Sequence, residues 1–157
     1  MLRSVLGVFV GIVIAVMLIA GIEQLGHRVY PPPASIRAAA EKRDFQAVAK
    51  AVGEWMPTAP IGALVFPPLA WFGGTLAGCL AAVWIAGRAP FVHAGISAVL
   101  PLLGTIASLA MIPHPPWMWA AGLIGVPLAA LVAGFLGPRR PPAGPQPQDM
   151  RAKNMAC

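Results

Sequence analysis

SVLGVFVGIVIAVMLIAGI, residues 4–22, contains no Lys, Arg, Asp or Glu. Wound as an α-helix rising about 1.5 Å per residue, it spans roughly the 30 Å of a bilayer's hydrocarbon core. Three further runs repeat the pattern: Ile61–Ala86, Phe91–Ile112 and Trp117–Gly137, with His93 the one basic side chain in the four. Backbone polar groups in lipid must be satisfied within the segment, so helices or closed barrels are the options. Barrel strands would alternate polar and apolar residues over short segments. These runs are continuous and rich in Leu, Ala, Val and Gly, and they read as helices.

The composition agrees. Of 157 residues 58% are hydrophobic and 10% charged, against about 25% charged in a typical soluble domain. Arg3 before an apolar run resembles a signal peptide, but the run leads into Glu23, Gln24 and His27 without a small-residue cleavage site. It reads as an uncleaved first span. The expected fold is therefore all-α: a polytopic membrane protein with a four-helix transmembrane bundle over residues 1–137. Its helices are expected at about 4–30, 59–87, 90–112 and 116–137. Residues 138–157, rich in Pro and Arg, read as a disordered cytoplasmic tail.

The first connection opens with Pro31-Pro32-Pro33, which favours extended chain. Ser35 reads as an N-cap for a helix over about 35–55, with Phe45, Val48, Val52 and Trp55 on one face. That face suits an amphipathic helix lying on the membrane, and equally one packed over the ends of the bundle. Pro67-Pro68 predicts a kink in the second span. Small residues recur at Gly7 and Gly11, at Gly74 and Gly78, and at Ala130 and Gly134. Such spacing lets helices approach closely, within a bundle or at a dimer face. Trp71, Trp84, Trp117 and Trp119 read as structural residues at interface belts or helix ends.

Basic residues number six on one side of the implied topology (Arg3, Arg88, Arg139, Arg140, Arg151, Lys153) and five on the other (Arg28, Arg37, Lys42, Arg43, Lys50). Arg88 lies at the membrane in a short connection, Arg139-Arg140 directly follow the last run, and Pro113–Pro116 has no basic residue. Both termini are thus expected in the cytoplasm. The net charge of +6 is scattered, without the basic stripe and interleaved aromatics of a nucleic-acid binder, so no nucleic acid is expected. Cys79 and Cys157 form no zinc or disulfide spacing, and Cys79 reads as a packing residue.

No glycine loop ends in Lys, no serine sits in a G-x-S-x-G elbow, and H-E-x-x-H is absent. No cofactor is expected. One constellation stands out. Glu23 and His27 share a helix face, and His114 falls on the same side of the membrane. Two imidazoles and a carboxylate suit a metal such as zinc, a proton relay, or a polar belt pinning helix ends at the head groups. His93, alone at the start of the third run, reads as an interfacial anchor.

These same residues carry a resemblance. The patterns E-x-x-G-H-x-x-Y-P-P-P from Glu23 to Pro33 and I-P-H-P-P-W from Ile112 to Trp117, with Met56-Pro57-Thr58, resemble a family of small bacterial four-helix membrane proteins without an assigned activity. The resemblance spans about the first 137 residues and implies a bacterial inner-membrane address. The expected role is a non-enzymatic accessory or partner-binding protein, its partners the lipid bilayer and a second copy or another membrane protein. An oligomeric proton-coupled transporter or channel is the alternative, and a metal-dependent membrane enzyme the third.

Overall fold

The computed structural model describes residues 1–138. The predicted tail, residues 139–157, lies outside the described residues. Six α-helices follow one another: α1 Leu2–Val29, α2 Ala34–Glu41, α3 Phe45–Trp55, α4 Ile61–Ala86, α5 Pro90–Met111 and α6 Pro116–Leu136, with a 3-10 turn at Met56–Thr58 before α4. No strand occurs among the described residues. Four of the helices, α1, α4, α5 and α6, are long and apolar enough to cross a membrane. The chain is a multi-pass all-α membrane protein.

Proline and glycine mark the ends of these helices. Pro60 and Pro115 cap α4 and α6, while Pro90 and Pro116 begin α5 and α6, where a missing N–H costs nothing. Gly87 closes α4 in the left-handed region at φ 66°, its N–H donating to the Val83 carbonyl at 2.9 Å. Pro67 and Pro68 lie inside α4, which stays one helix across them. They withdraw the donors that the Ala63 and Leu64 carbonyls would meet four residues on.

The bundle is drawn together by a seam of small residues between α1 and α4, which run antiparallel. A Cβ built on Gly11 would lie 2.7 Å from the Ala82 Cβ and 2.6 Å from the Gly78 carbonyl oxygen. One on Gly7 would meet the Ala82 oxygen at 2.8 Å, and one on Gly74 the Ala15 oxygen at 3.0 Å. One on Gly78 would fall on the Gly11 carbonyl oxygen. Thus Gly7, Gly11 and Ala15 interlock with Gly74, Gly78 and Ala82, backbone against backbone. The stripe that sequence left open between bundle and dimer lies inside the chain. On α6, Ala130 joins a buried cluster with Cys79, Val83, Ala94, Ala98 and Ala133, and Gly134 seats the Phe91 ring. Cys79 packs there as expected, its thiol donating to the Ala94 carbonyl at 3.3 Å.

Four expectations need correction. The surface helix is two helices. Arg43 takes φ 54°, and the Arg43 and Asp44 N–H groups donate back to the Ala40 and Ala39 carbonyls. This is the double closure usually built on glycine. Asp44 then caps α3 by accepting from the Ala47 N–H at 3.0 Å. Ser35 caps nothing; Pro33 holds the N-cap of α2. Phe45 is 73% exposed and leaves the face that Val48, Val52 and Trp55 share. His93 is buried rather than interfacial, because its Nδ1–H donates to the Ala89 carbonyl at 3.0 Å, folding the ring back over the start of α5.

Because the obstacle at Gly78 is backbone, no side-chain rotation relieves it. Gly78→Leu is expected to destabilise the detergent-solubilised protein by about 2 kcal/mol or more, read as a lowered thermal midpoint by circular dichroism. Gly95→Ala, where an added Cβ meets nothing within 4 Å, should leave the midpoint level or raise it. Equal midpoints for the two variants would mean that the seam does not hold the helices together.

Candidate functional site

The connections Tyr30–Pro60 and Ile112–Pro115 lie at the same end of the bundle, because α1 and α5 finish where α4 and α6 begin. There α2 and α3 roof a cavity of about 630 Å³ whose walls come from α1, α4, α5 and α6. The roof rests on the α5–α6 turn at one tight point: a Cβ on Gly53 of α3 would lie 2.6 Å from Pro113 Cγ. Ile36, Val48, Val52, Trp55 and Met56 form the roof's underside. The face expected of a membrane-surface helix therefore covers the bundle ends, the second of the two readings open in the sequence.

Glu23, Gly26 and His27 occupy one stripe of α1 at helical spacing, Tyr30 follows as its C-cap, and all four line this cavity. Two are packing residues. Gly26 gives room to the Phe66 ring, a Cβ there falling 2.7 Å from Phe66 Cγ. The Tyr30 ring lies against Gly62 and meets Phe66 edge-on at 6.1 Å between centroids. The other two bear charge: Glu23 is partly buried, while His27 is exposed at the rim. The E-x-x-G-H-x-x-Y pattern thus combines a hinge of small and aromatic residues with two ionisable groups on one wall.

His114 enters the same cavity from the α5–α6 turn. Its Nδ1 lies 2.7 Å from the Ile112 carbonyl oxygen. A carbonyl only accepts, so Nδ1 carries the proton and the neutral ring keeps Nε2 as an acceptor. Burial holds this imidazole below its ordinary pKa, and the hydrogen bond to Ile112 opposes the shift. The ring meets Trp71 edge-on at 6.2 Å.

Trp71 ties the site together. It is 4% exposed, and a Cβ on Gly122 of α6 would lie 3.1 Å from its Cζ3. Its benzo edge thus packs on α6, while the ring lines both the cavity and the neighbouring groove together with Glu23 of α1. Sequence placed Trp71 with the interface belts, yet it is sunk in the bundle. The signal was its depth: ten residues into α4 is about 15 Å of rise, too far for a belt. Ser108, also missed, lines the cavity from α5.

Glu23, His27 and His114 therefore line one cavity. They do not close on a common point: among the described residues no three His, Cys, Asp or Glu side chains come together as a metal-binding set. Nor does Glu23 form an ion pair; the described residues contain one, Lys50–Glu54 at 4.0 Å on the exposed side of α3. No family model, no curated protein and no solved structure matches the chain.

His114 has a signed pH consequence. An unfolded chain takes up a proton near the ordinary value of 6.5, while the folded one resists until lower pH. Stability contributed here is present above about pH 6.5 and is lost as pH falls from there through the folded value. Glu23, His27 and Arg37 line the same cavity, so the informative quantity is a difference between proteins. Between pH 7.5 and pH 5 the thermal midpoint of wild type should fall more than that of His114→Gln. Parallel curves would refute it.

Proposed function

We propose that this chain is a non-enzymatic, ligand-binding integral membrane protein of the bacterial inner membrane. In this reading both termini are cytoplasmic, and the roofed cavity receives an amphipathic organic molecule at the outer face. The observation that carries the proposal is the cavity itself: about 630 Å³, walled mainly by apolar and aromatic side chains, with Glu23, His27 and His114 as its sparse polar groups. That combination of an apolar enclosure and a few fixed polar groups is what small-molecule sites share. The address rests on Arg3 and Arg88, which fall together opposite the roofed end, on Arg139-Arg140 following the last apolar run in the sequence, and on the resemblance in the two proline-flanked motifs.

Binding is favoured over conduction by the other half of the bundle. There Cys79, Val83, Ala94, Ala98, Ala130 and Ala133 fill the interior, so the cavity ends in packed side chains. Catalysis has no support in the disposition of groups, since Glu23 and His114 bracket Trp71 rather than a shared reacting position.

A neutral photoreactive alkyl probe supplied to the protein in lipid nanodiscs should label the roof residues Val52 and Trp55 saturably, as mapped by mass spectrometry. An excess of unlabelled probe should suppress that labelling, and Val52→Trp, which fills the cavity, should abolish it. Non-saturable labelling spread over the exposed α5 residues Ile96, Val99 and Leu103 would overturn the proposal.

A further inference from the structure

A second hollow joins the first. A groove of about 360 Å³ lies between α1 and α5. It extends along α1 from Val16 to Glu23, about 10 Å of helix rise. It shares Glu23, Trp71 and Ser108 with the roofed cavity. It opens sideways, because Leu100 and Gly104 are exposed and a Cβ at Gly104 meets nothing within 4 Å. In a bilayer that side faces acyl chains, so an apolar chain reaches Glu23 without passing through water.

The chemistry where the two hollows meet is one-sided. Glu23 brings a carboxylate with no ion-pair partner among the described residues. His114, held with its proton on Nδ1, keeps Nε2 as an acceptor. Pro67 and Pro68 leave the carbonyls of Ala63 and Leu64, both cavity-lining residues, without their usual helical donors. Thr105, on the groove wall and 2% exposed, has a hydroxyl without any hydrogen-bond partner. The junction and the adjoining cavity wall are rich in acceptors, and Glu23 is the acidic group where the hollows meet. The basic groups of the cavity, Arg37 and His27, are exposed at its rim.

We infer that the junction binds the ammonium group of a lipophilic amine, whose alkyl chain lies in the groove between α1 and α5. The inference rests on the cavity being a ligand-binding site. An ammonium supplies the positive charge that the junction lacks, and pairing removes the cost of a lone carboxylate in a low-dielectric site. The aromatic walls of Trp71 and Tyr30 add attraction for a cation. An anionic head would be repelled by Glu23, and a neutral one would leave the carboxylate unpaired. The ammonium has two sources, a free long-chain amine or a lipid head group, in which case Arg37 at the rim would meet the phosphate.

The test is titration of the wild-type protein in phosphatidylcholine nanodiscs with dodecylamine and, separately, dodecanol, followed by tryptophan fluorescence against empty discs. Dodecylamine should bind about tenfold tighter or more. Glu23→Gln should bring the amine close to the alcohol and leave the alcohol unchanged, Glu23→Asp should keep the preference, and Gly104→Leu should weaken both by filling the groove. Equal affinities in wild type would overturn the ammonium while the ligand cavity stood; no saturable binding of either would overturn both. The wild-type comparison decides this even where a variant fails to fold. Displacement of dodecylamine by lysophosphatidylethanolamine would support the ammonium as a lipid head group, and failure to displace would support it as a free amine.

Discussion

The contact of α1 with α4, glycine against glycine, is the constraint from which the rest of the structure follows. In lipid no hydrophobic expulsion drives helices together, so association depends on close packing of backbone and small side chains. Gly7, Gly11 and Ala15 supply that surface on one helix and Gly74, Gly78 and Ala82 on the other. Their register decides what lies beyond the seam. Ile19 packs against Gly74, and the next turns bring Glu23 opposite Trp71 and Gly26 opposite Phe66. A shift by one turn would keep the same face of α1 against α4 but take the carboxyl away from the level of Trp71.

Much of the architecture was legible because the strongest signals are local. Four uninterrupted apolar runs state their own structure, and Pro60, Pro90 and Pro116 mark where three of the helices begin. The break at Arg43 was harder to foresee, since a left-handed closure usually advertises itself with Gly or Asn, and here Arg occupies it. The cue was the Asp44 that begins α3, a cap residue inside what looked like one helix. Within the site, the charged members Glu23, His27 and His114 were visible as rare polar residues beside apolar runs. Trp71 was not, because its depth in the apolar run excludes the head groups but does not say whether it faces lipid or a carboxyl on another helix. His93 was misjudged for a related reason: a polar side chain near a span's end reads as an anchor unless its own backbone carbonyl partner is seen.

The ionisable groups that face a cavity are gathered at one end of the bundle. The opposite half is filled by alanines, Cys79 and Val83, with His93 and Ser97 buried near the start of α5. The roofed half holds the carboxylate, two imidazoles, the helix-internal prolines of α4 and the Gly53–Pro113 contact that seats α3. Both proline-flanked motifs fall there, and each mixes packing with chemistry. Gly26 and Tyr30 set the spacing of α1 from α4, while Glu23 and His27 face the space so created.

The seam also bears on how the protein assembles. The surface α1 offers for packing is complementary to α4, and little of its most apolar window is otherwise buried. Its partner ends at Ala86, so a newly made α1 resides alone in the bilayer until roughly the first half of the chain has been synthesised. During that interval Glu23 has lipid and head groups for neighbours. The helix must therefore be stable as a solitary span, which its uninterrupted apolar length provides. The glycines that join it to α4 act only at the second step, the meeting of two finished helices. Insertion thus draws on the whole apolar run, and association on the small residues within it.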